Sequence, residues 1–388
     1  MAQNHPACPI CGHTMKRNGT TGAGTTRWRC RSCGSSSTKH RPDRRLDARF
    51  RWFIDYLTGT GSLDQVAADH GISRRTLNRY FHTFWYVQVP VPADRFRVYD
   101  QLFIDGTYTA AGCLLVAATR THVVAWHWAR RENIQAYRTL LEHMAPPLMV
   151  VIDGGQGAAT AIAKQWPRTI VQRCLVHAQR NVRRHTTSRP RTDAGRAIYQ
   201  LALQLTRITT VEQATEWIVH LNDFGRIYKH WLNEKTPPPP GKTGAWTFTH
   251  DRTRKAYNSL LYLHRHKLLF RYLDPPPGAI APELITATTN TLEGGINAGI
   301  KVHAFAHRGQ AAEHQRLMCE WWLYLKTEAP DDPLQIARGQ QWGKNALAKA
   351  QALTHNENLA DHETGRPALY DNAIEWSNSQ GIQKGWIH

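Results

Sequence analysis

The chain has 388 residues, with 49 Lys and Arg against 30 Asp and Glu, a formal net charge of +19 and 41 % hydrophobic residues. At roughly 100–200 residues per domain this length holds several domains. The apolar fraction suffices for a buried core and excludes wholesale disorder, and the charge points to an acidic partner, nucleic acid first. No apolar run approaches the ~20 residues of a spanning helix, and the N-terminus lacks a basic-then-apolar leader. Neither a membrane protein nor a conventionally secreted one is therefore expected, and a cytoplasmic location is.

The first 33 residues carry four of the seven cysteines, as Cys8-Pro-Ile-Cys11-Gly12 and Cys30-Arg-Ser-Cys33-Gly34. Each Cys-x-x-Cys turn aims two thiolates at one ion, and Gly12 and Gly34 permit the positive φ such turns need. Four sulfur ligands suit one structural Zn²⁺ and leave no open position for catalysis. With hairpin strands expected between the pairs, residues 1–40 read as a zinc ribbon; a pair of redox dithiols is the alternative.

Residues 41–95 read as helical. Leu46, Phe50, Phe53, Ile54 and Leu57 recur at helical spacing. Ser62 and Gln65 have the spacing of a capping box, Gly71-Ile72-Ser73 makes a turn, and Ser73 caps a third helix. Leu77, Tyr80, Phe81 and Phe84 form its apolar side, and Arg75, Asn78, Arg79 and His82 share the other face. Arg and Asn donors beside basic side chains suit a recognition helix in a major groove, so this is read as a DNA-binding helix-turn-helix. A plain three-helix bundle with a solvated face is the alternative.

Val89-Pro90-Val91-Pro92-Ala93 is a stiff linker, and the periodicity changes after it. Leu102–Tyr108 is an apolar strand interrupted by Asp105. Strands at about 113–119 and 122–129 follow, then a helix near 133–144 and a buried strand, Leu148–Ile152, ending in Asp153-Gly154-Gly155. A helix near 156–166 and a strand near 169–173 complete the series. Three strands, helix, strand, helix, strand is the order of a ribonuclease-H-like core, in which the first and fourth strands are neighbours. Asp105 and Asp153 would then lie side by side. Two such carboxylates repel unless a hard divalent cation joins them, and a pair of Mg²⁺ (or Mn²⁺) ions suits phosphodiester chemistry. Turn-capping acids are the alternative.

The third acid has four candidates, Glu283, Glu293, Glu313 and Glu320. Glu293 is favoured, because Leu292, Ile296 and Ile300 make one helical stripe and Asn290, Glu293, Asn297 and Lys301 a polar stripe beside it. Gly294, Gly295 and Gly299 there suggest a closely approaching backbone rather than packing. Glu313 and Glu320 read as ordinary surface acids.

Ile104-Asp105-Gly106, Val151-Ile152-Asp153-Gly154, Cys174-Leu-Val-His177-Ala-Gln-Arg180-Asn181 and Thr289-Asn290-Thr291-Leu292-Glu293-Gly294 together resemble the Mutator-like DDE transposases of bacterial insertion sequences, over about residues 100–325. The resemblance implies that Asp105, Asp153 and Glu293 are the catalytic triad. It also implies that Cys174 and His177 are the family's Cys-x-x-His motif, read here as a buried pair bracing the site. Where relatives often carry Trp after that Cys, this chain has Leu175.

Residues 164–207 hold ten Lys and Arg and one acid, so Arg180, Arg183 and Arg184 are read as phosphate contacts, with Lys301. The 140 residues from Asp153 to Glu293 exceed what the core needs. A mostly helical insertion delimited by Pro237–Pro240 and Pro275–Pro277 is expected, in which Trp217, Trp231 and Trp246 pack or stack on unpaired bases.

The expected organisation is α/β: zinc ribbon 1–40, helix-turn-helix 41–95, ribonuclease-H-like core 96–185, helical insertion 186–285, the core helix with the third acid 286–330, and a helical tail 331–388. The expected activity is binding of terminal inverted repeats, followed by Mg²⁺-dependent cleavage and strand transfer into target DNA by a homodimer or larger assembly. A ribonuclease-H-like nuclease that does not join strands and a zinc-ribbon DNA-binding regulator without catalysis are the competitors.

Overall fold

The computed structural model describes residues 5–8, 10–38, 42–238, 243–289 and 292–352, and the side chains of 42–44 and 293 lie outside the description. The expected tail beyond residue 352 and Asn290 also lie outside it. Two units form, one of Met1–Tyr56, Leu63–Val87 and Asp332–Ala348, the other of Leu57–Ser62, Gln88–Asp331 and Lys349–His388.

In the first unit, β1 (Lys16–Thr20), β2 (Thr26–Arg29) and β3 (Ser36–Thr38) form an antiparallel sheet in that order. Its buried cluster is Cys8, Met15, Trp28 and Cys30. So small a core cannot hold a module of this size without a further constraint. The helices α1 (Pro42–Thr58), α2 (Leu63–Asp69) and α3 (Arg74–Phe81) follow. Ser73 caps α3 by accepting the Thr76 N–H at 3.3 Å. The aromatics of α1 meet Phe81 of α3 and Phe84 in one core, with Phe50–Phe84 and Phe53–Phe81 centroids each 5.1 Å apart; Phe84, expected on the third helix, instead opens a short 3₁₀ turn after it, Phe84–Tyr86. Trp342, after the helix Pro333–Gly339, joins it at 5.8 Å from Phe50, and Arg338 holds Asp47 through Nε and Nη2.

In the second unit, β4 (Gln101–Thr109), β5 (Gly112–Ala118), β6 (Val123–Ala129), α4 (Ile134–Leu141), β7 (Met149–Ile152), α5 (Gln156–Gln165) and β8 (Ile170–Arg173) follow the expected order. The sheet runs β6-β5-β4-β7-β8, antiparallel through β4 and parallel beyond it. β4 pairs with β7 at Ile104↔Ile152, so the first and fourth strands are neighbours. Leu102, Ile104, Leu115, Val150 and Ile152 share one face and bury against α4 and α5. Pleating turns Asp105 to the opposite face.

The chain then becomes helical: α6 (Leu175–Thr186), α7 (Asp193–Gln204), α8 (Val211–Ile227), α9 (Lys229–Asn233), a hairpin of β9 (Lys235–Thr236) and β10 (Thr247–Phe248), and α10 (Asp251–Arg265). Leu175, Ala178 and Val182 of α6 share a second core with Ile198, Leu205, Trp217, Phe224 and Leu260. Trp217 is a core residue whose Nε1–H donates to Leu201 O at 2.8 Å. Trp231 stacks on His250 at 3.5 Å, and Trp246 is 60 % exposed.

The chain returns beside β4, where the buried Gln101 side chain donates to Thr286 O at 2.8 Å and accepts its N–H at 3.0 Å. A π-helical turn, Leu292–Asn297, leads into α11 (Ala298–Ala306), and α12 (Ala312–Tyr324) follows. Two expectations change here. Asn297 is buried while Lys301, one α turn later, is exposed, so the two do not present one solvent-facing polar stripe. A methyl on Gly299 would lie 2.2 Å from Cζ2 of Trp322, so that glycine serves helix packing; around Gly294 and Gly295 no described atom stands within 4 Å. The surface reading of Glu313 and Glu320 also fails. Met318, Cys319, Trp321, Leu323 and Tyr324 bury α12 on several sides. Glu320 is left with 14 % of its side chain exposed, ion-paired to Arg316 at 2.9 Å, and Glu313 Oε1 is buried without a hydrogen-bond partner.

Candidate active site and cysteine cluster

The two Cys-x-x-Cys turns bring all four Sγ atoms within 4.8 Å of one another, with Cys8–Cys33 at 3.5 Å and Cys11–Cys30 at 3.4 Å. Each turn closes by a glycine N–H bonding back to the first cysteine, Gly12 to Cys8 O and Gly34 to Cys30 O, at φ of +75° and +72°. Backbone N–H groups of Cys11 and Ile10 pull the Cys8 thiol down to about 6. At Cys33 the Ser35 N–H acts in the same direction, but Cys11 Sγ, burial and the other thiols outweigh it and push that thiol up to about 12. The cluster is a closed tetrad of soft ligands able to bind a zinc ion. Among the described residues it is the one group of three or more His, Cys, Asp or Glu ligand atoms drawn that close.

The acidic site lies at the end of the β4–β7 pair. Asp105, 8 % exposed, accepts the Gly106 N–H at 3.0 Å and the Asn297 amide Nδ2–H at 2.7 Å. Asp153 follows β7 and accepts the Gly155 N–H at 2.9 Å. Between them Gly154 turns at φ +92°, and the Arg173 guanidinium lies where a side chain would stand. Burial lowers the Arg173 pKa and Asp153 partly restores it, while its Nε and Nη1 are buried without partners. Asn297 is 2 % exposed and its Oδ1 is also buried and unbonded. An orphaned hard oxygen on the residue that holds the Asp105 carboxylate is the donor chemistry a Mg²⁺ or Mn²⁺ ion takes. The backbone of Glu293 belongs to the π turn that carries Asn297, but its side chain is outside the description.

Cys174 is fully buried at the start of α6, and its Sγ accepts from the N–H and hydroxyl of Thr289 at 3.3 and 3.2 Å. Its own N–H donates to Ile152 O at 2.9 Å, one residue before Asp153. Burial alone would raise this thiol, but hydrogen bonds from His177 and Thr289 outweigh it and the net shift is downward. The cysteine thus ties the end of β7 to the segment that delivers the π turn.

Of three neighbours of the site, Arg173 and Glu132 carried no readable sequence signal, and Asn297 was legible only as a member of the polar stripe with Glu293. Arg173 and Asn297 looked like members of basic and polar runs. Glu132 looked like a loop acid before α4, whose cap is Asn133 accepting the Ala136 N–H at 2.9 Å. Burial, then Asp153, raises the Glu132 carboxyl. The expected DNA-contact residues are all on the surface: Arg75, Asn78 and Arg79 on the exposed side of α3, Arg180, Arg183 and Arg184 along α6, and Lys301 on α11. No helix among the described residues is long and apolar enough to cross a membrane.

Residues 86–236 match the family model described as Transposase, Mutator family. The match supports a Mutator-like transposase, as the sequence motifs led one to expect. It spans about two fifths of the chain and includes Asp105, Asp153, Cys174 and His177, and it ends before Glu293. A transposase of this kind acts on DNA, so the match implies a DNA-binding chain. A search of curated proteins returns no match to the sequence.

Proposed function

We propose that this protein is a DDE transposase that binds the terminal inverted repeats of its mobile element, cleaves DNA there and joins the freed end to target DNA. The observation that carries the reading is the parallel pairing of β4 with β7 up to Ile104↔Ile152, which sets Asp105, the next residue within β4, beside Asp153, the residue after β7, inside the segment matched by the transposase family. The strand order supports a ribonuclease-H-like core over 96–185 and 286–330, interrupted by a helical insertion over 186–285.

Asp105, Asp153 and Glu293 form the catalytic triad in this reading. Two divalent cations held by these acids would supply the charge that activates an attacking oxygen and neutralises the leaving one. The chain's own groups set the geometry. Asn297 and the Gly106 N–H fix the Asp105 carboxylate, and the Gly155 N–H fixes that of Asp153. Water attacks the phosphodiester at the element end and releases a 3′-hydroxyl, which attacks a second phosphodiester in the target. No covalent protein–DNA intermediate arises. Arg180, Arg183, Arg184 and Lys301 neutralise phosphates. The cysteine tetrad (residues 1–40) holds one Zn²⁺, and the helix-turn-helix (41–95) presents Arg75, Asn78 and Arg79 to base edges. Synapsis of two ends requires a dimer or larger assembly on DNA.

The test is incubation of the protein with labelled DNA spanning the element's end, with Mg²⁺ or EDTA, beside Asp105→Asn and Glu293→Gln. Metal-dependent nicking and joining, lost in both variants while binding persists, is the expected result. Cleavage that survives both substitutions overturns the triad. Specific binding without cleavage in any metal favours a DNA-binding regulator.

A further inference from the structure

We infer that Glu132 is a fourth carboxylate of the acidic site, a ligand to divalent cation beside Asp105 and Asp153; this rests on the cation-dependent reading of that site. Glu132 lies in the short link between β6 and α4, yet its side chain reaches back across the sheet end. Its Oε1 occupies the space over Gly106, where a methyl group would lie only 2.1 Å away. Its Oε2 and Asp153 Oδ1 both stand within 4 Å of one point over Gly155, at 3.9 and 3.5 Å. The carboxylate therefore spans the residue after the first aspartate and the second residue after the other.

The Arg173 guanidinium stands over Gly154 beside Asp153, but among the described residues no cationic side chain is ion-paired to Glu132. Among the described residues neither Glu132 nor Asp153 takes part in an ion pair, and the one side chain hydrogen-bonded to the Glu132 carboxylate is the Cys113 thiol, at 3.9 Å. Nor does Glu132 serve the helix that follows it, since Asn133 makes that cap. Half-buried like charges are costly unless a cation joins them. The second, independent sign of a cation is the Asn297 amide, 2 % exposed, which reaches Asp105 through Nδ2 and keeps its Oδ1 buried and unbonded.

The experiment is titration of the full-length, zinc-loaded protein with Mn²⁺ by calorimetry, with thermal melts in cation-free buffer and in Mn²⁺. Glu132→Gln should weaken Mn²⁺ binding by about tenfold or more, while end-DNA binding by the zinc-loaded protein in buffer without added Mn²⁺ or Mg²⁺ is retained. Without cation it should melt above wild type, because a repulsion has gone, and it should gain less from Mn²⁺. Gly106→Ala, which displaces the carboxylate but keeps its charge, should also weaken Mn²⁺ binding. Mn²⁺ affinity unchanged in Glu132→Gln overturns the inference. If Asp105→Asn then abolishes Mn²⁺ binding, the fourth ligand fails alone; if it does not, the cation reading fails with it.

Discussion

The cysteine tetrad and the acidic site solve opposite problems. The tetrad draws its four ligands from 26 consecutive residues, and their sulfurs gather within 4.8 Å beside a buried cluster of only four side chains. The acids come from strands 48 residues apart, on a sheet whose core is complete without any ion. Thiolates so close, in a module so poor in apolar contacts, point to an ion that holds the fold. Oxygens spread around the end of a self-sufficient sheet leave room for an ion that meets substrate. Removing metal should therefore unfold the first site and merely disarm the second.

The largest effect separates the two outright. Cys30 is 1 % exposed and belongs to the tetrad. Cys30→Ser, or zinc removal by a strong chelator, should unfold β1–β3, because metal binding to such modules is worth on the order of 10 kcal/mol of folding. Limited proteolysis should then cut within residues 5–38 and leave the five-stranded sheet protected. A metal-free module that keeps its protection breaks the comparison.

A smaller effect tests whether the acidic site owes its shape to the fold. Cys174→Ala removes the acceptor of two Thr289 donors in a fully buried setting. Loss of such bonds costs about 1–3 kcal/mol, readable as a lowered urea midpoint. Because Thr289 precedes the π turn, DNA cleavage should fall as well, while the zinc content stays unchanged. Unaltered stability would show that the cysteine braces nothing.

The same contrast explains what could be read from the sequence. The tetrad was legible because its geometry is local: spacing and two glycines carry it. Asp105 and Asp153 were legible because an acid ending an apolar strand is conspicuous and the strand order implies the pairing at Ile104↔Ile152. Glu132 and Arg173 were hidden because chain closure and burial, rather than periodicity, bring them in, whereas Asn297 was legible as a polar-stripe member but not as the partner of Asp105. The assumed polar stripe did not hold as a surface because Asn297 is buried against Asp105 while Lys301 stays exposed. The joining of Trp342 to Phe50 and Phe84 lay equally out of reach, because no local pattern encodes a contact across nearly 300 residues.

The smallest effect concerns an acid that already has its cation. Glu320 is largely buried, and burial raises its carboxyl above the ordinary 4.5 although Arg316 works in the opposite direction. A carboxyl raised in the folded state binds its proton more tightly there than in the unfolded chain. Its contribution to stability is complete below the ordinary value and is lost as pH rises through the raised one. Glu320→Gln removes that loss, so the variant should gain on wild type between acidic and neutral pH, measured as paired urea midpoints. Since Arg316 already faces this acid, added Mg²⁺ should leave the gain unchanged, whereas at Glu132 it should not. A gain that shrinks as pH rises, or one that depends on Mg²⁺, would erase the distinction between acids served by the protein and acids awaiting an ion.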